Sequence, residues 1–139
     1  MVEPVKICLL IPSLQAGGME RVMSELAAYF CLDEKAEIHL VMYGIRPELF
    51  YPVPRKLIIH TPLDEFNNKR RIIHTIKRAI YVRRTVKAIH PDTILCFGEL
   101  WNLFVLLSLW GLRLPVYISD RCNPARPYKA HNRLLRRVL

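Results

Sequence analysis

The sequence predicts an α/β fold with a doubly wound, mostly parallel sheet, on the basis of three observations. Short apolar runs alternate with stretches of helical periodicity, in the order β-α-β-β-α-β-α-β-α. The run at 92–97 is a continuous apolar strand, which is typical of a parallel sheet covered on both faces. A glycine turn at Gly17 and Gly18 joins the first strand to the first helix. Strands joined by helical crossovers favour a parallel, right-handed sheet.

Five stretches have the length and pattern of strands. The first, at 6–11, is an apolar run, and the second, at 37–43, alternates Ile38, Leu40 and Met42 with the residues between them. A short third strand follows the loop that ends at 55. The predicted strands are therefore 6–11, 37–43, 56–60, 92–97 and 114–119.

Four stretches have helical periodicity. Val22, Leu26 and Phe30 recur on one face of 19–30. In 69–90, Pro91 stops the helix, and the apolar stripe predicted to face the core is Ile72, Ile73, Ile76, Ala79, Ile80, Val82, Val86 and Ile89. The helix at 101–110 is apolar almost all round, which predicts burial, and Gly111 closes it. A last helix begins at 128 and runs to the terminus with no C-cap.

Length and composition indicate one globular domain over 1–139. The hydrophobic fraction of 52% and the charged fraction of 24% exclude a disordered chain. The net charge of +9 favours an anionic partner: phosphate, nucleic acid or a membrane surface. Four widely spaced cysteines predict reduced core thiols and no metal site.

The chain shows no signal peptide, because Glu3 and Pro4 interrupt the first segment, and no run long enough to cross a membrane. We therefore expect a cytoplasmic protein. Because the last helix ends on Val138 and Leu139 without a cap, we also expect that this helix is truncated and that the chain comes from a longer protein.

Three loops leave the carboxyl ends of predicted strands, where α/β sheets bind ligands. They are 15–18, 98–102 and 119–124, and together they hold glycine amides, carboxylates, amides and a guanidinium. That mixture suits a sugar or a phosphorylated ligand. Each residue also has an ordinary structural explanation, such as a solvated loop or the start of a helix. The candidate site residues are Gln15, Gly17, Gly18, Glu99, Asn102, Asp120 and Arg121.

The second predicted helix carries a basic face, and no acidic residue lies between Glu65 and Asp92. Three interpretations remain open: a solvated face, attachment to anionic lipid headgroups, and nucleic-acid binding through phosphates. No stacking aromatic residues are interleaved, so nucleic acid is the weakest of the three. The face comprises Lys69, Arg70, Arg71, Lys77, Arg78, Arg83, Arg84 and Lys87.

Two segments carry a resemblance to a known family. The segment 11–22, IPSLQAGGMERV, resembles the first loop of family 4 retaining glycosyltransferases with the GT-B fold, in which a Gly-Gly-x-Glu-Arg segment opens a helix. The segment 115–124, PVYISDRCNP, is similar to a Ser-Glu-Arg-Asn-x-Pro segment of one branch, with Asp120 in place of the glutamate. Residues 92–112 also resemble the fourth strand and the helix after it.

The resemblance implies a Rossmann-like, acceptor-binding N-terminal half of such an enzyme, with the donor domain absent. Gly17 and Gly18 would approach the diphosphate or sugar of a nucleotide-sugar donor, with no metal or other cofactor. Gln15, Glu99, Asn102, Asp120 and Arg121 would line the side that binds a glycan or lipid-linked acceptor. Many relatives have a histidine after the fifth strand. Here that place holds Asp120 and Arg121, so no catalytic residue is assigned, and the isolated chain should be inactive.

A stand-alone basic module that binds a membrane lipid or a nucleic acid is the alternative. For the transferase, the cytoplasmic face of a membrane is the expected location, because acceptors in the family are often lipid-linked.

Overall fold

The computed structural model describes residues 3–44, 48–63 and 71–119, without the side chains of 99 and 100. The predicted strands and helices within these ranges are confirmed, and their ends differ by at most two residues. The predicted helix from 128 lies outside them. The elements are β1 (Val5–Ile11), α1 (Gly18–Phe30), β2 (Ala36–Met42), β3 (Ile58–His60), α2 (Arg71–Ile89), β4 (Thr93–Phe97), α3 (Glu99–Ser108) and β5 (Val116–Ser119).

The five strands form one sheet in the order β3-β2-β1-β4-β5, and every neighbouring pair is parallel. The predicted α/β fold with a parallel, Rossmann-like sheet is therefore confirmed. β1 is the central strand, with Ile7 opposite Ile38 of β2 on one side and Thr93 of β4 on the other. Because all strands run the same way, the loops that follow them leave from one edge of the sheet, the carboxyl edge.

Helices cover both faces of the sheet. Leu9 and Ile11 face α1, whereas Cys8 and Leu10 face α2 and α3. All four are fully buried, and burying a leucine or isoleucine completely contributes about 1.5–3 kcal/mol. The thiol of Cys8 is unpaired, as predicted, and burial raises its pKa to about 12.

The orientation of α2 differs from the sequence prediction. Val82, Val86 and Ile89 are buried, as expected. Arg78 and His74 lie four and eight residues before Val82, on the same side of the helix, and they are buried too. The C-terminal half of the helix fixes which side faces the sheet, and the N-terminal half must follow. Arg78 and His74 each take part in an interaction, so neither is without a partner.

Two expectations for α2 were therefore wrong. Arg78 does not belong to the exposed basic face, since it lies on the buried side of the helix. Four isoleucines expected in the core lie on the exposed side instead, at between 45% and 79% exposure: Ile72, Ile73, Ile76 and Ile80.

The burial predicted for the third helix, α3, is only partly confirmed. Trp101, Leu107 and Trp110 are exposed, while Val105 and Leu109 lie in the core. Arg83 of α2 donates from Nη1 to the carbonyl oxygen of Ser108 at 3.2 Å and to that of Trp110 at 2.7 Å. A cation in this place neutralises the negative end of the helix dipole. Arg83 was predicted to face outward, but its guanidinium is engaged at the end of α3.

Candidate functional site

The described parts of the first two predicted loops lie at the carboxyl edge together with Ser119, the one described residue of the third. The N–H of Gly98, after β4, donates to the carbonyl oxygen of Ser119, at the end of β5, over 3.3 Å. Gly98 also packs against the first turn of α1, because a Cβ built on it would lie 3.1 Å from the sulfur of Met19. The described parts of these loops therefore lie together because β1, β4 and β5 are parallel neighbours in the sheet. Asp120 and Arg121, like Lys69 and Arg70 of the basic face, lie outside the described residues.

Gly17 and Gly18 have different surroundings. Gly17 is the N-cap of α1 in an extended conformation, and the carboxylate of Glu20 fills the space that a side chain at Gly17 would need. Its carbonyl oxygen accepts from Arg21 N–H at 3.0 Å, the first bond of the helix. A Cβ on Gly18 would meet nothing within 4 Å. Gly18 therefore faces open space, and its backbone is accessible to a ligand.

The glycine loop is held by residues 48–52, a segment called the brace below. The hydroxyl of Tyr51 accepts a hydrogen bond from Gly17 N–H at 3.1 Å and donates to the Gly17 carbonyl oxygen at 2.9 Å. Phe50 N–H donates to the carbonyl oxygen of Leu14 at 2.9 Å. Gln15 donates from Nε2 to Glu48 Oε2 at 3.2 Å, so its amide is engaged with the brace. The contact between this segment and the glycine loop was not predicted from the sequence.

Asn102 occupies the first part of α3 and is buried. Its Oδ1 accepts from the thiol of Cys96 at 3.4 Å, and its Nδ2 donates to the carbonyl oxygen of Ser119 at 3.4 Å. The amide thus links the ends of β4 and β5 from inside the protein. Both polar groups of this side chain are thus engaged inside the protein, as in the helix-start explanation considered above. Of Glu99 the structure gives only the backbone position, as the first residue of α3.

An aromatic cluster stands beside the glycine loop. Tyr43 stacks on Phe104 with ring centroids 5.3 Å apart, and meets Trp101 edge-on at 5.9 Å. The Trp101 ring is 44% exposed and adjoins Gly98, whose added Cβ would lie 3.3 Å from Trp101 Cδ1. Trp101 therefore presents an apolar ring at the carboxyl edge. Its position three residues after Gly98 was the available signal in the sequence.

A separate polar cluster lies on the α2 side of β2 and β3. His39 Nδ1 and His60 Nε2 are 3.0 Å apart, and His39 Nε2 is 2.7 Å from Glu37 Oε1. Lys6 Nζ lies 3.9 Å from the same carboxylate oxygen. Burial and the neighbouring His39 lower the pKa of His60 below its usual value. No catalytic histidine was predicted, and this cluster does not belong to the loops at the carboxyl edge.

Two further features concern the described part of the chain. Among residues 3–44, 48–63 and 71–119, no helix is long and apolar enough to cross a bilayer. In the same ranges, no three histidine, cysteine, aspartate or glutamate side chains gather as metal ligands. The site described so far therefore consists of backbone amides, an amide side chain and an aromatic ring.

Comparison with known proteins gives one informative similarity. No family model matches the chain. Over 137 residues, it is 28% identical to a protein of Campylobacter jejuni, which is named as the GalNAc-alpha-(1->4)-GalNAc-alpha-(1->3)-diNAcBac-PP-undecaprenol alpha-1,4-N-acetyl-D-galactosaminyltransferase. The match covers 96% of this chain and 37% of that protein. The chain thus spans well under half the length of its relative. Along nearly all of its own length, this α/β chain is homologous to part of a glycosyltransferase.

Proposed function

We propose that this protein is a retaining hexosyltransferase of the GT-B type that moves a sugar from a nucleotide-sugar donor to a lipid-linked glycan. The chain described here would form the acceptor-binding half, and a second domain would hold the donor. The observation that carries this proposal is the similarity over 137 residues to an enzyme named for a PP-undecaprenol-linked substrate. The resemblance of 11–22 to the first loop of family 4 supports the same conclusion.

In this proposal the carboxyl edge forms one wall of the reaction cleft. Gly18, which has open space beside its backbone, lets the donor diphosphate or sugar approach the start of α1. The proposal assigns Gln15, Glu99, Asp120 and Arg121 to the acceptor side. Trp101 adds an exposed apolar ring at the carboxyl edge. The residues assigned here position substrates, and the reaction needs no metal or other cofactor from this chain.

The proposed location is the cytoplasmic face of a membrane. The thiols of Cys8 and Cys96 are unpaired, which suits a reducing compartment. A lipid-linked acceptor would place the enzyme at the membrane surface. A stand-alone basic module that binds an anionic partner remains the second candidate, and the net charge of +9 favours it.

Transfer by the intact protein tests the proposal. Radiolabelled UDP-sugars and GDP-sugars are offered with polyprenyl-diphosphate-linked glycans, and the labelled lipid is extracted. Gly18→Val should fold normally, since its side chain enters open space, but lose transfer by at least about a hundredfold because it blocks the donor. Ala28→Val adds similar bulk to the exposed side of α1 and is the matched control. Full activity in Gly18→Val would show that the glycine loop is not part of the site. Absence of transfer with every donor would favour the binding module.

A further inference from the structure

The exposed side of α2 carries an aliphatic patch, which comprises Ile72, Ile73, Ile76 and Ile80. Ile73, Ile76 and Ile80 follow one another at steps of three and four residues, so they share an arc of roughly 60° on the helix surface. All four are at least 45% exposed. Single exposed isoleucines are ordinary, but four neighbours within three turns form a contiguous apolar surface that marks an interaction site.

Cations surround and extend this patch. Lys77, Arg84 and Lys87 are exposed and lie on the same outward half of the helix, with Arg71 at its beginning. No aspartate or glutamate occurs anywhere in α2. The face therefore combines aliphatic side chains in its N-terminal half with lysines and arginines that no acidic residue of α2 offsets. A partner that binds it must be both apolar and anionic.

Charge complementarity narrows the possible occupants. A second copy of this chain would present the same cations and be repelled. Residues 120–139 carry six lysines and arginines against one aspartate, so their charge does not complement this face. An anionic bilayer satisfies both halves of the face, because headgroups attract the cations and acyl chains accept the isoleucines.

The direction of α2 places the aliphatic patch near the candidate site. Lys6, at the start of β1, reaches the carbonyl oxygen of Ile89 with Nζ at 3.4 Å, so α2 ends at the amino edge of the sheet. The helix therefore begins near the carboxyl edge, where the loops after β1 and β4 lie. A bilayer that covers the patch would hold a lipid-linked acceptor beside those loops. The choice of a bilayer over an acidic protein rests on the proposed function.

We propose that the outward face of α2 docks on an anionic membrane by inserting the aliphatic patch among the acyl chains, with Lys77, Arg84 and Lys87 at the headgroups. This differs from attachment by cations alone, because part of the binding free energy comes from apolar burial and resists salt. Both contributions are needed, since a few cations or a few aliphatic side chains alone hold a protein weakly.

Sedimentation of the intact protein with vesicles tests the proposal. Phosphatidylcholine vesicles with phosphatidylglycerol should bind the protein at low salt and retain a fraction at high salt, whereas phosphatidylcholine alone should bind far less. Ile73→Ser/Ile76→Ser/Ile80→Ser should lower the partition coefficient at least about tenfold at both salt concentrations. Lys77→Gln/Arg84→Gln/Lys87→Gln should lower it about tenfold at low salt and less at high salt.

Leu32→Ser is the matched control, because Leu32 is an exposed leucine that follows α1 on the other face of the sheet, and it should bind as the unchanged protein does. Thermal unfolding should be similar for all variants, since every altered side chain is exposed. As a second measurement, a tryptophan introduced by Ile76→Trp should be quenched by brominated acyl chains, and one introduced by Leu32→Trp should not.

Three results would overturn the proposal. They are absence of vesicle binding, equal binding by the isoleucine variant, and displacement from vesicles by a duplex RNA that binds the same face. The assay uses neither donor nor acceptor, so its failure and a failure of sugar transfer are separate results. If the protein transfers sugar but does not bind vesicles, the proposed function stands and membrane docking by α2 is refuted.

Discussion

The hydroxyl of Tyr51 contacts both polar groups of Gly17: it accepts from the N–H at 3.1 Å and donates to the carbonyl oxygen at 2.9 Å. The same carbonyl oxygen receives the first hydrogen bond of α1, from Arg21. The start of the helix and the brace therefore meet at one peptide group. A ligand that approaches Gly18 meets a backbone already fixed in place, which reduces the ordering that binding requires.

Tyr51→Phe should weaken the proposed site while the ring stays in place. The variant loses two hydrogen bonds, which should lower the free energy of unfolding by about 1–2 kcal/mol. We expect kcat for transfer to fall about tenfold, because the glycine loop is less well positioned. Urea unfolding and steady-state transfer measure the two effects. Tyr29→Phe, at an exposed tyrosine of α1, is the control, and equal kcat in both variants would contradict a positioning role.

Gly98→Ala should destabilise the protein for two reasons. Gly98 has a φ of 110°, which a residue with a Cβ rarely adopts, and the new methyl would lie 3.1 Å from the sulfur of Met19. We expect a loss of about 1–3 kcal/mol in thermal or urea unfolding. Gly111→Ala separates the reasons, since Gly111 also has positive φ but its added Cβ meets nothing. Gly98→Ala should be the worse of the two, and the opposite ranking would refute the packing argument.

Asn102→Ala should reduce stability and leave the activity of each folded molecule unchanged. The substitution leaves the Ser119 carbonyl and the Cys96 thiol without their partner, at a cost of about 1–3 kcal/mol. Leu107→Ala, at an exposed position of α3, should have little effect. If the acceptor KM rose in Asn102→Ala at full stability, the amide would belong to the acceptor site after all.

His60, which lies beside His39, should make the protein less stable in acid. His60 Nε2 lies 3.0 Å from His39 Nδ1, and burial together with this neighbour disfavours the protonated form of His60. Because the pKa of His60 is lowered from 6.5, the unfolded chain binds more protons than the folded one as pH falls. The contribution of His60 to stability is therefore fully present above pH 6.5 and declines as the pH falls below that value.

His60→Gln tests this pH dependence. Urea midpoints at about pH 8 and about pH 5.5 should differ less in the variant than in the unchanged protein. His90→Asn, at an exposed histidine after α2, should keep the full difference. If His60→Gln kept it as well, the acid sensitivity would come from other groups.

Local sequence pattern was enough for the described strands and helices and for the meeting of the loops after β1 and β4 with the end of β5. It was not enough for the orientation of α2, because that helix offers two apolar stripes on nearly opposite sides. Ile73, Ile76 and Ile80 form one, and Val82, Val86 and Ile89 the other. Packing on the sheet selects the second stripe, and periodicity alone does not show that choice.

The brace was missed for a different reason. Tyr51 lies 34 residues from Gly17, in a loop rich in proline and aromatic residues, and no local pattern links the two positions. Asn102 is a third case, since a polar residue at the start of a helix beside a candidate site looks the same in sequence whether its amide points into a cleft or into the core. Burial decides between the two.

The central place of β1 has a consequence for synthesis on the ribosome. This strand emerges before both of its neighbours; β2 follows soon after it, but β4 begins only at Thr93. Translation at about 5–20 residues per second leaves the second edge of β1 unpaired for roughly 4–16 seconds after Ile11 is made. A nascent chain stalled before Thr93 should therefore attract chaperones, and one released after β4 should not.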